Sequence, residues 1–239
     1  FKLCSTELPM PTFKTAKVVK HEVPAAKFHD LILETAEPFN FIPGQFVSLK
    51  VAEGQMRAYS IAGKVTDHQF GLLVDTTPGG PGSQFIEKLQ VGETVEFIGP
   101  VGNLKPHLED GSNHLVFLGT GCGIAPLKAM IEQLLLEGTD KQLTLYFGLR
   151  FGSDIFWDQY FNNLSAQHPN FHFKLCLSKP DDSWQGVCGH ITDLLKTDLT
   201  DGSQVSAYMC GNARMVEEAT EILTSAGCPK ERIYAEAYG

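Results

Sequence analysis

The chain has 239 residues, 43% of them apolar and 20% charged, a composition that excludes a disordered polyelectrolyte and leaves room for two modest globular domains. Its formal net charge of -9 argues against a nucleic-acid partner, because gripping a polyphosphate takes clustered Lys and Arg. No apolar run approaches the length of a membrane span, and the six cysteines show neither a C-x-x-C pair nor spacing for zinc or a plant-type iron–sulfur cluster. No metal site is expected, and free thiols in a chain of this size point to a cytoplasmic protein.

The opening residues 1–11 are rich in Pro and read as a linker or tail, and Phe1 in place of Met suggests a trimmed product or a piece of something longer. From Thr12 a strand rhythm sets in, with apolar and β-branched runs at 13–19, 28–35, 45–51, 57–61, 69–75 and 94–98, separated by turns such as Pro43-Gly44 and Pro78-Gly79-Gly80. Six short strands without a long helix imply a six-stranded antiparallel β-barrel over residues 12–107. A polar connector at 104–112 then changes the period. Residues 108–239 alternate strand and helix: a buried-type strand at 114–118, a helix from Pro126 to Gly138, a strand at 143–147, a helix presenting Trp157, Tyr160, Phe161 and Leu164 on one face, and strands at 171–177 and 204–209. A helix at 215–226 and a last strand at 232–237 complete the set, which implies a parallel sheet covered on both faces.

Three segments carry chemistry. In Arg57-Ala58-Tyr59-Ser60, Arg57 and Tyr59 project to one side of a strand, so a guanidinium fork for phosphate stands two residues from a flat ring able to lie on a heterocycle. Alternation puts Ser60 on the opposite side, so its hydroxyl meets the same ligand only at a strand end or bend. Gly80-Pro81-Gly82-Ser83 supplies backbone free of bulk before an amphipathic stretch at 84–89, a place for a pyrophosphate. Gly119-Thr120-Gly121-Cys122-Gly123 joins a strand to a helix, where phosphates meet a helix N-terminus, yet it is not the G-x-G-x-x-G fingerprint, and Arg150 stands where an acidic residue would end the next strand. Cys210-Gly211 ends another apolar strand at the same sheet edge, and Glu236 and Tyr238 share one face of the last one. Taken singly, each has an ordinary reading: an exposed Arg, a half-buried Tyr, a plain turn, an inert thiol.

As an ordered set, these segments resemble the ferredoxin–NADP reductase superfamily. Pro43-Gly44-Gln45-Phe46, Arg57 to Ser60, Gly80 to Ser83, Gly99-Pro100-Val101-Gly102, Gly119 to Pro126, Cys210-Gly211-Asn212 with Met215, and Glu236-Ala237-Tyr238 follow the family's order over nearly the whole chain. The resemblance implies an N-terminal FAD-binding barrel and a C-terminal, Rossmann-like, parallel α/β domain for the nicotinamide nucleotide. It implies that Arg57 binds the FAD pyrophosphate, Tyr59 stacks on the isoalloxazine and Ser60 hydrogen-bonds near its N5, with Gly80, Gly82 and Ser83 on the phosphates. Thr120, Gly121, Gly123 and Gly211 would meet NAD(P)H, Cys210 would lie near the reacting carbon, Tyr238 would cover the flavin face, and Glu236 would work with Ser60 in proton handling. Gly239 after the usual terminal aromatic is a departure that bears on the pose of Tyr238. Arg150, Ser178 and Lys179 are candidates to read a 2′-phosphate, while the segment Trp184-Gln185-Gly186 resembles NADH-using relatives and tips the expectation to NADH.

Ser178-Lys179-Pro180 and Gly189 further resemble the reductase components of bacterial multicomponent oxygenases, which implies electron transfer from NAD(P)H through FAD to a one-electron acceptor protein. That acceptor is a [2Fe-2S] domain preceding Phe1, or a separate ferredoxin or oxygenase. The alternatives are a stand-alone NAD(P)H:flavin reductase, a ferredoxin–NADP reductase, and a nucleotide-binding module without turnover. The last is disfavoured by the presence of Ser60, Cys210 and Glu236 together, since a pure binder has no need of proton-handling groups.

Overall fold

Alternating apolar residues close the first half of the chain on itself. In the computed structural model, which describes residues 12–25 and 27–238, six strands form a closed barrel. They are β1 (Lys14–Ala25), β2 (Phe28–Glu34), β3 (Phe46–Ala52), β4 (Gln55–Lys64), β5 (Gln69–Asp75) and β6 (Thr94–Val101), in the spatial order β1-β2-β5-β4-β3-β6 with every pairing antiparallel. Inward-pointing Val18, Leu31, Leu33, Val47, Leu49, Ile61, Phe70, Leu72 and Phe97 are fully buried and fill the interior. Between β5 and β6 lies one short helix, α1 (Pro81–Lys88), whose Ile86 plugs the barrel core.

The second half is a six-stranded parallel sheet in the order β10-β9-β8-β7-β11-β12, built from β7 (His114–Thr120), β8 (Gln142–Leu149), β9 (Phe171–Leu177), β10 (Val187–Cys188), β11 (Val205–Asn212) and β12 (Ile233–Tyr238). Helices α2 (Ile124–Leu136) and α3 (Asp158–Gln167) bury apolar faces on one side, α4 (Ile191–Asp198) and α5 (Ala213–Ser225) on the other. Because β7 and β11 are neighbours while their following helices lie on opposite faces, the strand order reverses there, and a crevice opens at the carboxyl ends of the two strands. The α2 side of the sheet shares one apolar cluster with Ala25, Phe28, Ala62, Leu73 and Leu104, so the barrel packs directly against this unit.

The expected strands and helices are present, with changes at their ends. Helix α2 begins at Ile124, not Pro126, because a 3-10 turn over 121–123 already winds the chain, and a third-residue Pro loses no intrahelical bond. Strand β11 continues through Asn212, so Cys210 and Gly211 lie inside it, paired with Glu236 and Ala237. Strand β10 and helix α4 were not expected. The linker assigned to 1–11 and the departure at Gly239 fall outside the described residues. No helix among the described residues is long and apolar enough to cross a membrane.

Candidate functional site

On the barrel, β4 pairs with β3 through Arg57, Tyr59 and Ser60, but it pairs with β5 only from Ile61 onward. The motif therefore occupies a stretch with one open edge. Its register with β5 breaks between Ile61 and Gly63, just beyond Ser60, and such a bend helps residues of both faces meet one ligand. The Arg57 guanidinium is exposed and donates to the adjacent Met56 carbonyl at 2.8 Å, leaving its fork free to turn toward an anion. Tyr59 is half-buried, and burial pushes its phenol up to about 12, so it stays neutral in ordinary buffers.

Helix α1 meets these side chains end-on. Gly80 caps it with no side-chain hydrogen bond, and a Cβ on Gly82 would lie 2.6 Å from the Tyr59 hydroxyl and 3.0 Å from Arg57 Cγ. Only glycine allows that approach. Uncapped N–H groups at the start of α1, with a guanidinium alongside, fit a pyrophosphate, and the neutral ring of Tyr59 fits the flat face of a flavin. The residues present thus suit FAD on observations of this chain alone.

At the sheet crevice three distant segments interlock. The Thr120 hydroxyl accepts the Asn212 N–H at 3.1 Å, the Tyr238 hydroxyl donates to the Thr120 carbonyl at 3.0 Å, and the Cys122 thiol donates to Tyr238 at 3.5 Å. Gly123 sits so tightly that a Cβ would come within 2.1 Å of the Cys210 carbonyl and 2.5 Å of the Tyr238 hydroxyl. Although Tyr238 as a whole is 41% exposed, its hydroxyl end is enclosed by these partners, and that burial makes it a far weaker acid than an ordinary phenol. Cys210 is buried; burial first, and then the neighbouring Glu236 carboxylate, hold its thiol protonated. Burial also raises Glu236 above the ordinary carboxyl value. Cys122 lies at the join between the units, where burial raises its thiol above the ordinary value against the opposing hydrogen bonds to Tyr238 and the Asp75 main chain, and its thiol is in turn felt by the Tyr59 phenol.

Beside this cluster a cavity of about 340 Å³ runs along the carboxyl ends of the strands. Of the residues assigned to the nucleotide, Thr120, Gly121, Arg150 and Ser178 line it, whereas Gly123, Cys210 and Gly211 do not, and neither does Lys179, whose backbone N–H is tied to the Arg150 carbonyl and whose side chain is exposed. Pattern reading left out several residues of the wall. Lys27, Phe28 and Asp75 come from the barrel, and Arg214 and Glu218 come from α5, where Arg214 Nε donates to Glu218 at 2.8 Å. His190 also lines it, at the start of α4, where Asp193 accepts the His190 N–H at 3.0 Å. That Asp three residues into a helix, together with the spacing of Ile191, Leu194, Leu195 and Leu199, was the sequence signal for α4. No signal joins Lys27 to the far half of the chain before the fold brings its ammonium within 3.3 Å of Asp154.

A ring-and-phosphate seat on a barrel, placed against a nucleotide crevice on a parallel sheet, defines a class: a flavoprotein oxidoreductase that meets a nicotinamide nucleotide. Comparison with known families agrees, matching residues 12–105 to the oxidoreductase FAD-binding domain and residues 117–221 to the oxidoreductase NAD-binding domain. The chain belongs to this family of FAD- and NAD-binding oxidoreductases, with the ferredoxin–NADP reductase fold. It is 32% identical over 231 residues to the reductase subunit of an aromatic O-demethylase from Amycolatopsis sp., covering 94% of this chain and 69% of that one. The electron transfer component of toluate 1,2-dioxygenase from Pseudomonas putida is 30% identical over 200 residues, 83% of this chain and 59% of that protein. Among solved structures, the Amycolatopsis cytochrome P450 reductase GcoB superposes with a TM-score of 0.87 at 29% identity, over 95% of this chain and 71% of that one. The chain thus spans between 59% and 69% of the two curated relatives' lengths.

Proposed function

We propose that this chain takes electrons from NADH, in preference to NADPH, into bound FAD and passes them singly to an acceptor protein. We take residues 12–107 as the flavin domain and 108–239 as the nucleotide domain, divided at the polar connector between β6 and β7. The acceptor is a [2Fe-2S] domain of the same polypeptide or a separate ferredoxin or oxygenase. The relatives' names, which include an electron transfer component and a reductase subunit, support this part of the reading. Five free cysteines among the described residues suit a reducing cytoplasm.

The observation that carries the reading is the contact of Tyr59 and Gly82 on the barrel, with Cys122 near enough to bear on the Tyr59 phenol and itself bound to Tyr238 at the sheet edge. Bound there, FAD would accept an electron pair from the nicotinamide and release the electrons one at a time. Arg57 and the N–H groups of Gly82 and Ser83 would hold the pyrophosphate, Tyr59 would lie against the ring, and Ser60 would offer a hydroxyl at its edge. Thr120, Gly121, Gly123 and Gly211 would admit the nucleotide to the crevice, with Arg150 and Ser178 at its far end and Lys179 behind them. Tyr238, anchored through Thr120 and Cys122, would shield the reacting face from water until the nicotinamide displaces its ring. Cys210, kept as a neutral thiol, would pack against the reacting carbon without presenting a charge, and Glu236 would hold a proton nearby.

Mixing the flavin-loaded protein anaerobically with NADH should bleach its yellow absorbance, and NADPH should do so more slowly. Flavin that stays oxidised with both nucleotides would overturn the reading, and faster bleaching by NADPH would reverse the stated preference.

A further inference from the structure

Two histidines away from the redox crevice tie down both ends of the segment that carries the flavin phosphates. His21 Nδ1 is 2.8 Å from the carbonyl of Leu89, the residue that ends α1, and His21 Nε2 is 2.8 Å from His29 Nδ1. His29 Nε2 lies 3.4 Å from the hydroxyl of Thr76, the first residue after β5, whose backbone N–H is itself fixed to the Lys27 carbonyl at 2.9 Å. Thr76 opens and Leu89 closes the stretch containing Gly80, Gly82, Ser83 and α1. His29 is buried, with 7% exposure, and the two rings lie 5.1 Å apart, centroid to centroid.

We propose that His21 and His29 form a proton-dependent strap that positions the 76–89 segment for the FAD pyrophosphate. The proposal rests on the assignment of FAD to that segment. With both rings neutral, the hydrogen bonds run one way: Thr76 donates to His29, His29 to His21, and His21 to the Leu89 carbonyl, an end-of-helix acceptor that has no other donor among the described residues. One added proton fits. His29 Nε2 then donates to Thr76, whose hydroxyl turns to the Lys27 carbonyl 3.4 Å away. A second proton does not fit, because His21 Nε2 and His29 Nδ1 would both carry hydrogens across the same 2.8 Å gap.

The surroundings fix where this occurs. Glu87 on α1 faces His29 and favours its cation, but burial and then His21 disfavour it more, so His29 titrates below the ordinary imidazole value. Other nearby charges are engaged elsewhere: Asp75 accepts from Thr77 at 2.8 Å, Lys27 is paired with Asp154, and Lys20 bridges Glu22 and Asp30. The strap therefore holds at neutral pH, tolerates the first proton, and parts only when both rings are charged, on the acid side of the ordinary imidazole value.

FAD release from the loaded protein, followed by the rise in flavin fluorescence, and amide hydrogen exchange of residues 76–89 test this together. Release should quicken as pH drops from about 8 to about 5, and the protection of the 76–89 amides, after division by their intrinsic exchange rates at each pH, should fall in step. At neutral pH, His29→Leu should release FAD roughly fivefold to tenfold faster, the effect of one or two lost hydrogen bonds. His29→Asn, whose amide keeps a donor toward His21, should restore the native rate and flatten the pH response. Native release and amide protection factors that do not change with pH, or a His29→Leu protein that holds FAD as tightly as the native one, would overturn the proposal. Should His29→Leu fail to fold, the native pH profile and His29→Asn decide. A protein that binds no flavin would sink the FAD assignment instead, and exchange in 76–89 would still report on the strap.

Discussion

Glu236 is an acid placed where its charge is unwelcome, beside a buried thiol that it further discourages from ionising. Since burial raises its carboxyl above the ordinary value, the unfolded chain loses this proton at lower pH than the native protein does. Below about pH 4 both forms are protonated and the site is indifferent; as pH rises through the ordinary value and then the native one, the native state loses stability by retaining a desolvated charge. Glu236→Gln should accordingly raise the urea midpoint near neutral pH, and the gain should vanish below about pH 4. A gain of equal size at both extremes would mean that packing, not charge, distinguishes the two side chains. Proton handling at this residue predicts a matching kinetic sign: the same substitution should slow flavin reduction while leaving flavin affinity intact.

Helix α2 joins the units as well as covering the sheet. Lys128 donates to the Ala62 carbonyl on β4 at 3.2 Å and to Glu132 at 2.6 Å, lies over the rings of Trp157 and Tyr160, and Tyr160 in turn donates to Glu132. With its side chain only 17% exposed, Lys128→Met should cost about 1–3 kcal/mol, lowering the melting temperature by roughly 2–10 °C in a chain of this size. An unchanged melting temperature would show the pair to be no more than surface decoration. The apolar spacing of Leu127, Met130, Ile131, Leu134 and Leu135 made this helix legible in advance, just as period-two alternation made the barrel strands legible. Helix α4 escaped because its eight residues bury only Ile191, Thr192 and Leu195, and β10 because it is two exposed residues long. Arg57, Tyr59, Thr120, Cys210 and Tyr238 could be named from motif order, since each lies in a short local pattern. Lys27, Arg214 and Glu218 belong to no such pattern, and only the packing of barrel against sheet puts them on one wall.

For the whole molecule, that shared wall couples the two units. Because Lys27, Phe28 and Asp75 line the cavity along with the sheet edge, NAD+ bound in it, as proposed, should stabilise the barrel as well as the α/β unit. At a hundredfold excess over its dissociation constant it should add about 2.7 kcal/mol, and calorimetry should show a single transition moving upward. Two transitions, of which only one responds, would mean that the cavity belongs to the C-terminal unit alone.

The interlock of Thr120, Cys122 and Tyr238 bears on how the protein is made. Its hydrogen bonds join residues 92, 116 and 118 positions apart, whereas Arg57, Tyr59 and Gly82 lie within one short stretch of chain. Closing the longer loops costs more entropy before any contact rewards it. During synthesis and refolding, then, the yellow colour should return ahead of the ability to discharge the coenzyme. For an interval the young polypeptide would carry its pigment with its catalytic doorway still unbuilt.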